Sequence, residues 1–174
     1  MKFLSCLLLF CSLSCGGIND DFVPKRMRLI TDNEEWLLIK ESEDPFRDLR
    51  PDGMKDCDFI PFILEENALE IDTKVCNFVT VYQPLLENIN EGDEITLEIF
   101  HRDLWDEQPG TATLIVAISK NKIWEEKIKI PKKSDFLTIK FKAEDDFEKG
   151  TPIYFHVNNH GFNNYKLLGF YVYN

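Results

Sequence analysis

No stretch of this chain is apolar for long enough to cross a bilayer as a helix, which takes roughly 20 residues; the longest apolar run, Phe3 to Leu13, falls well short. Histidine is scarce, with only His101, His156 and His160. Cysteine contributes five residues, but Cys6, Cys11 and Cys15 crowd into the first fifteen positions. The two that remain, Cys57 and Cys76, have no second Cys or His at ligand spacing beside them, which argues against a zinc site. None of Ser42, Ser119 and Ser134 sits in a Gly-x-Ser-x-Gly elbow, and no Gly-rich phosphate loop is present. No segment carries a helical apolar stripe. Cations are outnumbered, 20 Lys and Arg against 31 Asp and Glu, for a net charge of -11. Such a surface does not suit nucleic acid, whose phosphates select clusters of Lys and Arg, nor electrostatic adhesion to anionic lipid. Carboxylates are so numerous that no glycosidase pair stands out, so a hydrolase has little support.

What is present starts with MKFLSCLLLFCSLSCGG. One cation, a short apolar middle and a run of small residues are the layout of an export signal. The junction Ser14-Cys15-Gly16-Gly17 resembles the lipobox of bacterial lipoproteins, where the cysteine after the cut is acylated and becomes the N-terminus. The resemblance implies lipidation at Cys15, a lipid bilayer as partner, and a place at the outer membrane or cell surface. Ser12 stands where that family prefers a large aliphatic residue. Cleavage near Ser14 or Gly17, giving an ordinary secreted protein, is the alternative. Residues 1–15 then form the signal, 16–25 a Gly/Asn/Asp-rich tether, and 26–174 one domain of ordinary size. In an oxidising compartment the two remaining cysteines predict a Cys57–Cys76 disulfide, two buried thiols being the alternative.

From Arg26 onward the pattern is that of short strands. Leu137, Ile139, Phe141 and Ala143 alternate with Thr138, Lys140 and Lys142, and Ile95, Leu97 and Ile99 alternate with Thr96 and Glu98. Period two with one polar face marks half-buried antiparallel strands. Further strands are expected over 27–30, 36–39, 59–63, 68–71, 78–82, 112–119, 122–130, 153–158 and 167–173. Ile115 to Ala117 is apolar on both faces, which places that strand inside a sheet. Helical turns are expected only within 47–55 and 84–90. About ten short strands predict an all-β antiparallel sandwich of jelly-roll type, with an up-and-down barrel as the alternative.

Three features of the second half are similar to galactose-binding-like jelly rolls, the group that includes many carbohydrate-binding modules. They are the strand entry Gly92-Asp93-Glu94-Ile95-Thr96-Leu97, the hairpin from Leu114–Ile118 to Ile123–Glu126, and the closing strand Leu168–Tyr173. The Cys-Asn-x-x-Thr stretch from Cys76 to Thr80 and the His-x-x-Asn-His-Gly stretch from His156 also resemble uncharacterised bacterial lipoproteins. The resemblance implies the fold, with sugar binding as one common use.

Candidate ligand residues follow from the strand faces. Tyr154, His156 and Asn158 share one face of their strand, and Tyr171 and Tyr173 one face of theirs. If the two strands are neighbours, these side chains form a single Tyr/His/Asn surface suited to stacking on sugar rings and bonding hydroxyls. Leu168, Phe170 and Val172 are expected to share the inner face. The loop Asn158–Tyr165 adds His160 and Asn163, either as turn formers or as ligand contacts. Trp105 is expected as either a stacking platform or a lid over the sandwich end. Calcium is the one cofactor considered, through Asp103, Asp106 and Glu107 or through Glu144, Asp145, Asp146 and Glu148. Convergence of the three histidines on a transition metal is the less favoured metal site. The functional expectation is a non-catalytic binding module, with a glycan or an envelope protein as partner.

Overall fold

The computed structural model describes residues 26–51, 57, 59–65, 68–74 and 76–173. The signal, Cys15 and the tether lie outside the described residues. Eleven strands form two antiparallel sheets: β1 (Met27–Leu29), β2 (Leu37–Leu38), β3 (Phe62–Glu65), β4 (Ala68–Asp72), β5 (Phe78–Pro84), β6 (Glu94–His101), β7 (Gly110–Ile118), β8 (Asn121–Ile130), β9 (Asp135–Lys142), β10 (Pro152–Asn158) and β11 (Asn164–Tyr173). One sheet has the order β3-β4-β11-β6-β9, with β1 also on β11; the other runs β2-β5-β10-β7-β8.

The order is that of a jelly roll. β7 and β8 form the innermost hairpin; β6 pairs β9, β5 pairs β10, and β4 pairs β11 around it. Each successive pair falls in the opposite sheet, so a nested hairpin wraps into a sandwich. Inward rows fill the space between the sheets. Val79 and Val81, Ile95, Leu97 and Ile99, Leu114 and Val116, Phe155, Phe170 and Val172 are all essentially inaccessible to solvent. The alternation that marks strands in the sequence is therefore the alternation of core and surface.

Several local expectations need correction. The β3 strand starts at Phe62, and Phe59 and Ile60 lie exposed before it. Residues 84–90 hold no helical turn; the backbone bonds Leu85 to Thr151 and Ile89 to Phe147 tie that segment to the far loop instead. A helical turn does form at Arg47–Leu49, preceded by another at Glu41–Glu43. In β11 a register shift between Leu167 and Gly169 inserts Leu168 as an extra residue. Leu167 and Phe170 therefore face inward together, and Leu168 does not share the face of Phe170 and Val172.

The most consequential correction concerns the closing strands. β10 lies in the five-stranded sheet between β5 and β7, while β11 lies in the other sheet between β4 and β6. Tyr154, His156 and Asn158 project from the outer face of one sheet, Tyr171 and Tyr173 from the outer face of the other. The single Tyr/His/Asn surface does not exist, because period two reports inside or outside within a strand and carries no information about which sheet the strand joins.

Cys57 and Cys76 are bridged. The bridge holds the chain after the 3-10 turns beside the start of β5, so that residues 40–51 stay on the outer face of the five-stranded sheet. Replacing both cysteines by serine is expected to lower the unfolding free energy by about 3 kcal/mol, the chain-entropy value for a loop of this size, measured by urea unfolding of the oxidised parent and the double variant.

Candidate functional site

The two outer faces and one loop end present polar and aromatic groups differently. On the five-stranded sheet, cross-strand register sets three rows: Tyr82, Tyr154 and Ala117; Thr80, His156 and Ile115; Phe78, Asn158 and Thr113. The middle row is covered. Phe46, carried by the 3-10 segment, packs with Phe78, Ile115 and Ala117 into a second small core, with Tyr154 at its margin. His156 is wholly buried there, its ring 4.8 Å from that of Phe46 and 4.4 Å from that of Phe78.

The hydrogen bonds fix its state. Thr80 Oγ1 donates to Asp44 Oδ2 at 2.8 Å, so it can only accept from His156 Nδ1, also at 2.8 Å. Nδ1 therefore carries the proton, and Nε2 has no hydrogen-bond partner among the described residues. Burial depresses the imidazole pKa from 6.5 to about 3, the Val79 carbonyl opposing only in part. His156 is a neutral structural pillar under the Phe46 segment and does not reach a ligand. Beside it a cleft of about 310 Å³ is lined by Leu38, Lys40, Asp44, Arg50, Phe78 and Thr80. Tyr154 and Tyr82, half-exposed with ring centroids 6.3 Å apart, form an aromatic pair at the edge of this cover. Tyr82 was not singled out in the sequence, although it alternates with Thr80 and Phe78 opposite the buried Val79 and Val81.

At one end of the sandwich the loop between β6 and β7 meets the loop between β10 and β11. The meeting is built on buried asparagines. Asn159 Nδ2 donates to Thr73 Oγ1 at 2.8 Å and to the Gly161 carbonyl, while its Oδ1 accepts from Tyr165 Oη at 2.6 Å and from Asn163 Nδ2 at 3.2 Å. Asn163 Nδ2 also donates to the His160 carbonyl at 3.2 Å, and its Oδ1 accepts from the Trp105 amide at 2.8 Å. Burial pushes the Tyr165 phenol far above its ordinary range, so it remains a neutral donor. Asn163 is thus a buried structural bracket and offers no free amide to a ligand. Asn159, Thr73 and Tyr165 complete the network, and their pairing links positions some 90 residues apart, beyond any local sequence signal.

The bracket fixes what it exposes. Gly161 has φ +92°, and a Cβ there would stand 2.8 Å from the Trp105 carbonyl oxygen. The residues flanking Phe162 thus both meet the Trp105 backbone: Asn163 accepts from its amide, and Gly161 lies close against its carbonyl. Both rings point to water: Trp105 is 62% and Phe162 72% exposed. Trp105 therefore stands clear of the sandwich end and is not folded down on it as a lid. His160 Nε2 lies 2.9 Å from Asp106 Oδ2. A Cβ at Gly110 would come within 2.2 Å of the His160 ring, so only glycine lets the imidazole lie across the start of β7. Asp103 accepts from Lys133 Nζ at 2.6 Å and from the Ser134 amide at 2.9 Å, and these bonds hold its carboxyl below the ordinary value.

The three histidines occupy separate places: His156 on the outer face, His160 in the loop, and His101 buried between the sheets at the end of β6. Among the described residues, no group of three or more His, Cys, Asp or Glu is positioned to hold a metal ion. Asp145 accepts from Asn121 and Asp146 from the Glu91 amide.

No family model matches the chain, and no match is found among curated proteins. Among solved structures it is similar to a CBM4 structure, at 11% identity and a TM-score of 0.49, covering 83% of this chain and 90% of that one. It is also similar to TmCBM61 in complex with β-1,4-galactotriose, at 11% identity and 0.38, covering 87% and 88%. A family 11 carbohydrate-binding module from Clostridium thermocellum, in complex with a β-1,3-1,4-mixed-linked tetrasaccharide, is similar at 10% identity and 0.42, covering 83% and 94%. Identities and scores this low transfer no residue role, and the jelly-roll assignment rests on the strand order itself.

Proposed function

We propose that this chain is an exported, lipid-anchored binding module that takes a glycan at the loop end carrying Trp105 and Phe162. The observation that supports it is two exposed aromatic rings, Trp105 and Phe162, carried by two loops that a buried network joins. Exposed apolar rings grouped on one surface with polar groups around them suit a binding site, and here the backbone beneath them is bracketed by a buried network, so little ordering remains to be done on binding. Flat rings suit the C–H faces of sugars, and Asp103, Asp106 and Glu107 nearby suit hydroxyl donors. The half-exposed Tyr82 and Tyr154 form a second aromatic patch on the outer sheet face. Export and anchoring rest on the signal and on Cys15.

Trp105→Ala, in a chain with an unchanged unfolding midpoint, is expected to weaken binding of the best glycan from an array at least about tenfold, or ~1.4 kcal/mol, by titration calorimetry. An array without hits, or a Trp105→Ala variant that binds as the parent does, would sink the proposal. Mass spectrometry of the exported protein tests the anchor separately: a diacylated or triacylated Cys15 supports it, and an unmodified N-terminus refutes it.

A further inference from the structure

The outer face of the six-stranded sheet carries exposed apolar side chains at both ends, Ile63 and Phe136 at one and Met27 and Leu29 at the other, where the described chain begins. There the register places Met27, Tyr173, Glu94 and Lys142 in one row and Leu29, Tyr171, Thr96 and Lys140 in the next. Met27 is 56% and Leu29 53% exposed although both lie in a strand. Tyr173 Oη sits 3.1 Å from Met27 Sδ, and the Tyr171 ring lies flat over Gly169. Apolar side chains, half-exposed tyrosines and the exposed cations Arg26, Lys140 and Lys142, with one carboxylate, Glu94, in the same row, make up the composition that settles at a membrane–water boundary. The cations stand out against a chain of net charge -11.

The position of this corner says what covers it. β1 follows directly on the tether, and from Cys15 to Arg26 the chain reaches at most about 40 Å when fully extended. An anchored Cys15 therefore keeps this corner, more than any other part of the sheet face, at an effective concentration of roughly millimolar at the surface. At that concentration a contact too weak to hold a free protein suffices. The strand direction then orients the rest. β6 runs from Glu94, beside Tyr173, to His101, and the loop carrying Trp105 follows. Eight residues at about 3.3 Å each put the Trp105 end roughly 25 Å farther along the strands.

We infer that the corner formed by Met27, Leu29, Tyr171 and Tyr173, with Arg26, Lys140 and Lys142, docks on the bilayer surface and holds the Trp105–Phe162 end away from it. The inference rests on the anchored reading for its biological setting, but its test does not. With Cys57 and Cys76 bridged, the chain from Cys15 onward has one free thiol. Cys15 can therefore be coupled to a maleimide lipid in phosphatidylcholine vesicles containing phosphatidylglycerol, whether or not the cell acylates it. Hydroxyl-radical footprinting then compares coupled and uncoupled protein.

Coupling is expected to reduce oxidation of Met27, Leu29, Tyr171 and Tyr173 several-fold while leaving Trp105 and Phe162 unchanged. The Met27→Asp/Leu29→Asp variant, checked by circular dichroism for an intact fold, should lose the protection at Tyr171 and Tyr173. Equal oxidation of the four residues with and without coupling overturns the inference, as does protection shifted to Trp105. Protection of the corner in concentrated uncoupled protein without vesicles also overturns it, since the face would then join two copies of the chain. Failure of the glycan array leaves this footprint untouched, so the two proposals fail separately.

Discussion

Asn159→Leu is expected to remove about 3 to 4 kcal/mol of stability, a large loss for one surface-loop position. The side chain is nearly isosteric, so the change is one of bonding. Leucine leaves the buried Tyr165 hydroxyl without its acceptor and removes the donor that Thr73 Oγ1 and the Gly161 carbonyl share. Orphaned buried polar groups cost about 1 to 3 kcal/mol each, whereas removing both partners of a bond costs much less. A double-mutant cycle separates the two cases. Tyr165→Phe alone costs about 1 kcal/mol, because Asn159 Oδ1 keeps its bond from Asn163. The double variant Asn159→Leu/Tyr165→Phe should recover part of the Asn159→Leu loss. Strict additivity in urea unfolding would show that the two side chains are not coupled. Since Asn163 carries the Trp105 amide, glycan affinity should fall with Asn159→Leu even where the protein remains folded.

Acid is expected to destabilise the fold from pH 6.5 downward. His156 stays neutral in the folded chain until about pH 3 and takes up its proton near pH 6.5 when unfolded. Between those values the unfolded state binds more protons. Stability therefore rises with pH, is fully present above 6.5, and drops by about 1.4 kcal/mol for each pH unit below it. About 2 kcal/mol is gone by pH 5, and more than twice that as pH 3 is approached. Glu70 adds to the loss only at lower pH. Partial burial raises its carboxyl, but the bonds from Lys166 and Asn164 outweigh that and leave it below 4.5, so its stabilisation disappears as the carboxylate protonates. His156→Gln isolates the histidine. The variant starts less stable at pH 7.5, and its stability should change little between pH 6.5 and 5. Equal slopes for parent and variant over that interval would refute the assignment. The charged imidazole has nowhere to go between Phe46 and Phe78, so the Phe46 segment should lift first, visible as faster amide exchange at residues 44–50.

The sandwich could be read from residues whose periodicity is local. Ile95 to Ile99 and Leu137 to Ala143 report their inner and outer faces without help from elsewhere, and so does the doubly buried Ile115 to Ala117. The cysteine pair followed from subtraction. What the sequence hid depends on elements distant along the chain. His156 reads as a surface histidine because nothing within its strand announces that Phe46 covers it. Tyr154 and Tyr171 read as neighbours because alternation does not number the sheets. Asn159 and Asn163 read as turn residues, which they are, but their bond to Thr73 and their hold on Trp105 appear only when loops far apart in sequence meet. Trp105 reads as an exposed aromatic in its loop, but whether it stands clear or folds down as a lid needs Gly161 and its neighbours in place.

The nesting of the strand pairs governs when this molecule can become a molecule at all. β11 is the latest described strand in the chain, yet it occupies an interior position, bonded to β4 on one side and β6 on the other, with β1 at its far end. Until Asn164 to Tyr173 is available, β1 has no partner, β4 and β6 each have an open edge, and one layer has a hole through its middle. Every strand of the five-stranded sheet precedes β11 in the chain, but the other layer cannot close without it. A sandwich organised this way closes late, with its longest-range pairings formed last.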